Sequence, residues 1–444
     1  MKISRYRLFW SAGTIRGVIS QIDLLFAISH AISADDLQRF FDVAEIVLGE
    51  DDPKLDLPDD KRWAAALYGK SRPFSGSLRR SISGTLVLLA VYGNQLFHSR
   101  IGFDCEWKSA KLVERILAPL TTRKLEANDL ELPVYAEAAP DKFLTILEED
   151  FKGTQPQSYG LMRPADPSVF GGGCYRSGLL WALENLAWNP LTLPRASLIL
   201  AQLAEIQIED NWVNKPINSL KSIFRAWMPQ TAAGHEERVK VMRLLAKKFP
   251  QVAWQICVGE FGSGEQYGHY SHKPTWRPDA YGHGEPFSTW GPIRAFVREM
   301  VDMALSWEEL SREMLCDLIE RLHDLSDADQ TKVWALVTRW AASGIAESDR
   351  AFVREKIRVS VLSRRAARKK NDSPNLSTSA KAAYAALEPR DVLQLHAWLF
   401  REDWVDESAD ELEDDTYDHR EREERIANLR TDALREILEK EGLK

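Results

Sequence analysis

Asp35-Asp36-Leu37-Gln38-Arg39-Phe40-Phe41-Asp42-Val43-Ala44-Glu45-Ile46-Val47-Leu48 decides the structural class of this chain. Leu37, Phe40, Phe41, Ala44, Val47 and Leu48 recur at intervals of three and four, the spacing that gathers side chains on one face of an α-helix. Asp51-Asp52-Pro53 ends the stripe, because proline lacks an amide proton and disfavours a helical residue before it.

The same one-sided stripe recurs over residues 77–92, 141–151, 175–188, 194–206, 217–227, 235–249, 307–325, 327–342 and 349–362. Start signals accompany it: Ser306 with Glu309 and Asp327 with Gln330 have capping-box spacing, and Pro194 suits a first helical turn. Extended character is confined to residues 84–92 and 132–135, and the first of these reads equally well as a buried helix. Helices of roughly 10–20 residues joined by short Pro- or Asp-bearing turns predict an all-α fold, an αα-hairpin superhelix of the HEAT- or TPR-like solenoid type with long irregular loops. An internal echo fits it: Ala136, Pro140 and Leu144 are spaced as are Ala246, Pro250 and Trp254. The predicted organisation is an N-terminal helical region (1–152), central repeats (153–258), a Gly- and aromatic-rich loop insertion (259–292), C-terminal repeats (293–400), and an acidic segment with a terminal helix (401–444).

With 444 residues, 44% hydrophobic and 28% charged, the chain has the composition of a protein with a core and is too long for one ordinary domain. A net charge of −8 argues against nucleic-acid binding by the surface as a whole. Cys105, Cys174, Cys257 and Cys316 lie far apart with no CxxC pair, which predicts reduced, buried thiols. Lys2, Arg5, Arg7 and Arg16 precede an apolar run at 24–32, but Asp23 and His30 interrupt it and no small-residue cleavage site follows. No apolar stretch reaches the roughly 18 residues that cross a bilayer, so a cytoplasmic protein without membrane contact is expected. Of the 15 tryptophans, Trp181, Trp188, Trp227, Trp254, Trp334, Trp340 and Trp398 fall inside periodic segments, where an indole bridges packed helices.

The loop 259–292 is the candidate site. It holds Tyr267, His269, Tyr270, His272, Trp276 and Arg277, and tyrosine, tryptophan and arginine dominate interface hot spots. These six are the expected partner-binding residues. A metal-assisted hydrolase is the alternative, built on His269, His272, His283 and Glu285 within 264–285, although their spacing matches no established zinc pattern. A second alternative is nucleic-acid binding by the basic stretch 350–370, with Arg350, Arg354, Lys356, Arg358, Arg364, Arg365, Arg368, Lys369 and Lys370. A solvated face is the favoured explanation of that stretch, since no aromatics interleave its cations. Gly171-Gly172-Gly173 precedes a helix but is a lone glycine run, and the chain contains no P-loop, GxGxxG, GxSxG or HExxH motif. No catalytic residue, metal ligand or cofactor is assigned.

A set of landmarks occurs in order: Arg62-Trp63-Ala64-Ala65-Ala66, Ser77-Leu78-Arg79-Arg80, the 136–140 stretch, Leu180-Trp181-Ala182-Leu183-Glu184, Phe224-Arg225-Ala226-Trp227-Met228-Pro229-Gln230-Thr231, Ala253-Trp254, Trp276-Arg277-Pro278 and His396-Ala397-Trp398-Leu399-Phe400. Together they resemble the helical region that follows the ATPase module in bacterial STAND-type NTPases of antiphage defence, over most of the chain. The resemblance implies a non-enzymatic sensor or scaffold arm, with a phage protein or an NTPase or effector chain as partner. The chain departs from that class in lacking the NTPase and effector modules, where the family's chemistry resides, so no catalytic residue carries over.

Overall fold

The computed structural model describes residues 9–12, 15–165, 174–262, 268–277, 284–362, 378–401, 405 and 419–442. These residues are overwhelmingly helical, as the periodicity predicts. The exception among them is a hairpin at the start: β1 (Phe9–Ala12) pairs antiparallel with β2 (Ile15–Val18), Phe9 opposite Val18 and Ala12 opposite Ile15. Residues 84–92 and 132–135 are helical. The chain divides into two compact units, Met1–Ile256 with Tyr267–Phe296, and Cys257–Gln266 with Val297–Lys444.

In the first unit the helices are α1 (Gln21–Ile28), α2 (Ala34–Gly49), α3 (Gly76–Gly93), α4 (Cys105–Leu117), α5 (Thr122–Ala127), α6 (Leu132–Ala138), α7 (Pro140–Asp150), α8 (Arg176–Ala187), α9 (Leu193–Ala204), α10 (Pro216–Ile223) and α11 (His235–Lys248). Helix α12 (Pro250–Gly259) straddles the division. The deciding stripe becomes α2, where Leu37, Phe41, Ala44, Val47 and Leu48 are buried and Phe40 stays half-exposed. Ser33 caps α2 through the Asp36 amide, and the Asp36 carboxylate accepts the Ser33 amide in return. Helices α2, α3 and α4 pack on one another, α6 lies on α3 and α8, and α9 on α8, α10 and α11. The 136–140 echo has a local cause. Each proline opens a helix, and the residue before it breaks the preceding one in nearly the same conformation, Ala139 at φ −140°, ψ 66° and Phe249 at φ −135°, ψ 65°.

In the second unit, α14 (Arg312–Glu320) packs on α15 (Asp327–Ala341) and α16 (Glu347–Ser360). Helix α17 (Thr378–Ala386) packs on α15 and α16, and α18 (Val392–His396) on α16 and α19 (His419–Glu441). Helix α13 (Trp290–Leu305) crosses the division, and within the second unit its Arg298 binds Asp302 and Asp329 at 2.6 Å each. Two capping boxes read from the sequence are displaced. Ser311, not Ser306, caps α14, while the Ser306 hydroxyl donates to Met303 O. Ser326 caps α15 through Asp329, one residue before the spacing suggested. Both serines sit where the backbone is extended, which the spacing alone cannot locate.

All four cysteines are free; Cys105, Cys257 and Cys316 are buried, their thiols pushed up to about 12 by burial, and Cys174 is half-buried. Trp188, Trp254 and Trp334 are core residues, whereas Trp181, Trp227, Trp340 and Trp398 are half-buried. No helix among the described residues is long and apolar enough to cross a membrane.

Gly178, on the first turn of α8, lies against the backbone of the turn between α5 and α6. Its amide donates to Asp129 Oδ1 at 2.8 Å, and a Cβ there would stand 1.9 Å from Asp129 O. Gly178→Ala gains helix propensity of up to about 1 kcal/mol but forces the backbones apart, an overpacking cost of about 1–3 kcal/mol, so a lower denaturation midpoint is expected. Burial pushes Asp129 up to about 6, against the Gly178 amide that lowers it. Because the folded value lies above the unfolded one, stability is lost as pH rises from about 4 through 6. Asp129→Asn keeps the acceptor and removes that loss, so the variant should gain about 2–3 kcal/mol over wild type between pH 4 and 7 in denaturant titrations.

Candidate functional site

Two buried arginines set the frame of the site. Arg79, on α3 and 2% exposed, donates from Nε to Glu131 Oε1 (3.0 Å), from Nη1 to Val47 O (2.7 Å) and from Nη2 to Asn128 Oδ1 (3.1 Å). It thereby caps the end of α2 and fixes the turn from which α6 starts. Arg176, 1% exposed at the first turn of α8, donates to Asn214 O (2.6 Å), to Arg163 O (3.1 Å) and through Nη2 to both oxygens of Asp210 (2.9 and 2.8 Å). That fork ties the 210–214 turn to α8. An arginine satisfied this fully is stable in the interior, whereas one stripped of partners is not.

Residues 268–277 form a strap over α6 and α8, held by main-chain hydrogen bonds to buried side chains. Glu137 on α6, 4% exposed, accepts the amides of Thr275 (3.0 Å), Trp276 (2.5 Å) and Arg277 (3.0 Å). Glu184 on α8 accepts the His272 amide at 3.0 Å and the Ser219 hydroxyl at 2.6 Å, and burial raises its carboxyl above the usual glutamate range against both bonds. Gln230 Oε1 accepts the Ser271 amide at 2.9 Å, the Trp188 indole donates to His272 O at 2.9 Å, and Tyr92 Oη donates to Trp276 O at 2.9 Å. The returning segment is fixed as well. Gln230 Nε2 donates to Gly284 O at 3.1 Å, and Gly284 has φ +85° with a Cβ position 2.3 Å from the Trp188 ring, so glycine is required there twice over.

The sequence-derived residues fall into two groups. Trp276 and Arg277 are half-buried, and Arg277 Nε donates to Glu137 O at 2.8 Å, so both belong to the strap's own anchorage. Tyr270 is 59% exposed and donates its hydroxyl to Glu285 Oε2 at 3.0 Å. His272 is exposed at its edge while its ring stacks on Trp181 at 5.3 Å and 10°, and that desolvation lowers its pKa below the ordinary histidine value. His269 is exposed, and its carbonyl accepts Arg225 Nη1 at 3.2 Å. Tyr267 and His283 lie outside the described residues. Among the described residues no group of three or more His, Cys, Asp or Glu side chains is placed to hold a metal ion.

Of the basic stretch, residues 363–370 also lie outside the described ones. The cations before them have internal partners: Arg350 donates to Ala386 O and Ala341 O, Arg354 stacks on Tyr384, Lys356 pairs with Glu320 at 2.6 Å, and Arg358 pairs with Glu355 and covers Trp398. Glu137, Glu184, Gln230 and Arg225, which hold the strap, are residues of the candidate site that sequence reasoning did not single out. Carboxylates inside otherwise apolar helical stripes were the signal available.

Comparison with known protein families, with characterised proteins and with solved structures gives no match.

Glu137→Ala removes one acceptor shared by three amides. Amide exchange at residues 275–277 should quicken by more than about tenfold while α3 and α8 keep their protection, since each hydrogen bond to a charged group contributes about 1.5–3 kcal/mol. Unchanged exchange there would show that Glu137 does not hold the strap.

Proposed function

We propose that this chain is a recognition or scaffold module without catalytic chemistry of its own, and that the strap 268–277 is its contact surface for a protein partner. The observation that carries this reading is the split between main chain and side chain. The strap's amides are fixed on Glu137, Glu184 and Gln230, while Tyr270, His272 and Lys273 stay exposed. A surface already ordered before binding loses little conformational entropy on association, and an aromatic presented that way makes an effective anchor. Further apolar residues stand exposed in the same unit, Trp212 and Val213 among them.

We also propose that the helices form stacked αα-hairpins of the solenoid type, a reading supported by the packing of α9 on its chain neighbours α8, α10 and α11. The ordered landmarks motivate placing the module in a bacterial antiviral-defence NTPase system, with an NTPase or effector chain, or a phage protein, as the partner.

The test is a paired experiment in phage-infected and uninfected cells. A photo-crosslinking residue at Tyr270 should capture one defined protein, and Tyr270→Ala with Lys273→Glu should weaken that complex about thirtyfold, the loss of a hot spot worth about 2 kcal/mol. A partner held equally well by the double variant would sink the strap as the contact surface. Capture of neither an NTPase-bearing chain nor a phage protein would sink the defence assignment.

A further inference from the structure

Beneath residues 269–271 of the strap lies a cavity of about 360 Å³, walled by α8, by the turn that Arg176 holds, and by α10. Its size is at the small end of ligand sites, which run to roughly 300–1,000 Å³. Among its lining residues cations outnumber carboxylates. Lys215, Lys221 and Arg225 line it, and the acidic lining residue is Glu184. Both Glu184 oxygens already accept protein donors, Ser219 Oγ and the His272 amide. Lys215 Nζ lies 3.9 Å from Asp210 and donates to Ile208 O and Asp210 O, so part of its charge is offset outside the cavity. Arg225 is held in place, Nη1 on His269 O and Nη2 on Ser222 Oγ at 3.2 Å each, with its guanidinium against the Trp227 ring. Neutral polar groups, Asn218 and Ser222 among them, complete the lining, and Trp181, Tyr270 and Val213 give it flat or apolar surface.

We propose that this cavity binds a small molecule bearing an oxyanion, phosphate or carboxylate, attached to a flat apolar body. A concave wall with several cations concentrates positive potential more strongly than the same cations on an open surface. A chain of net charge −8 has no general surplus of cations, so the gathering of three around one cavity is a local property. The aromatic and apolar residues among the lining accept the body that carries the anion, and the strap's 269–271 segment covers it. The inference goes beyond the recognition reading, since it requires no protein partner.

Calorimetric titration of the full chain at low salt, with inorganic phosphate, phenyl phosphate and benzoate as probes, tests it. Phenyl phosphate or benzoate should bind more tightly than inorganic phosphate, and the tighter of the two identifies the anionic group. Lys221→Glu should weaken that binding about ten- to a hundredfold, with Lys221→Met intermediate, and bound ligand should slow amide exchange at 269–271. Should Lys221→Glu fail to fold, Lys221→Met with Asn218→Asp gives the same comparison. Absence of saturable binding by all three probes, or equal affinity in wild type and the folded Lys221 variants, overturns the proposal. Tyr270 belongs to the cavity lining and Lys273 does not, so Lys273→Glu alone should weaken partner capture and leave probe binding unchanged, and this single variant reads failure of partner capture and failure of the cavity separately.

Discussion

A buried guanidinium has to find acceptors for a planar fork of donors, and that requirement at Arg79 organises much of the first unit. Its partners come from three places: carbonyls at the end of α2, the Asn128 side chain, and Glu131 at the entry to α6. Asn128 Oδ1 also accepts the buried Tyr135 hydroxyl at 3.1 Å, so the network reaches into α6 itself. Removing one member would leave the others desolvated without compensation, which costs more than the hydrogen bonds contribute singly. The apolar stripes bring the helices together, and the polar network selects one arrangement of them.

From that frame the site follows by short covalent steps. Glu137 lies on α6, six residues after Glu131, so the Arg79 network fixes the helix that presents the strap's main acceptor. Arg176 does the same from the other side, because α8 carries Glu184 while the turn it clamps supplies the cavity wall through Asn214 and Lys215. The close contact of α8 with Asp129 at Gly178 joins the two halves. Strap and cavity are thus both secondary products of where two arginines are buried.

The helical class was legible because burial imposes a period of 3.6, and it shows in α2, α3, α7 and α15 almost residue for residue. The hairpin Phe9–Ala12 with Ile15–Val18 was not legible, since four-residue strands carry too little alternation to stand out. At the site, the aromatic loop was visible as composition, but the difference between anchoring and exposed residues was not. Trp276 and Arg277 on one hand, and Tyr270 and Lys273 on the other, are the same kinds of residue in sequence. Only the position of Glu137 separates them, and it lies 139 residues before Trp276 in the chain.

Strap and cavity share residues 269–271, and this shared segment constrains what each can do. Tyr270 is both exposed on the strap and part of the cavity lining, while the His269 carbonyl and the Ser271 amide, bound to Arg225 and Gln230, fix the backbone on either side of it. A ligand drawing on Arg225 competes with the His269 carbonyl for the same guanidinium and so alters the segment that presents Tyr270. By linkage, a partner that favours one position of the strap changes ligand affinity by the same factor as the ligand changes the partner's. The size of that coupling is bounded by what the strap can yield. With Glu137 and Glu184 holding its C-terminal half and Gln230 the Ser271 amide, adjustment is confined to the residues before Ser271, which favours modest tuning of the proposed contact surface over opening and closing of the whole strap.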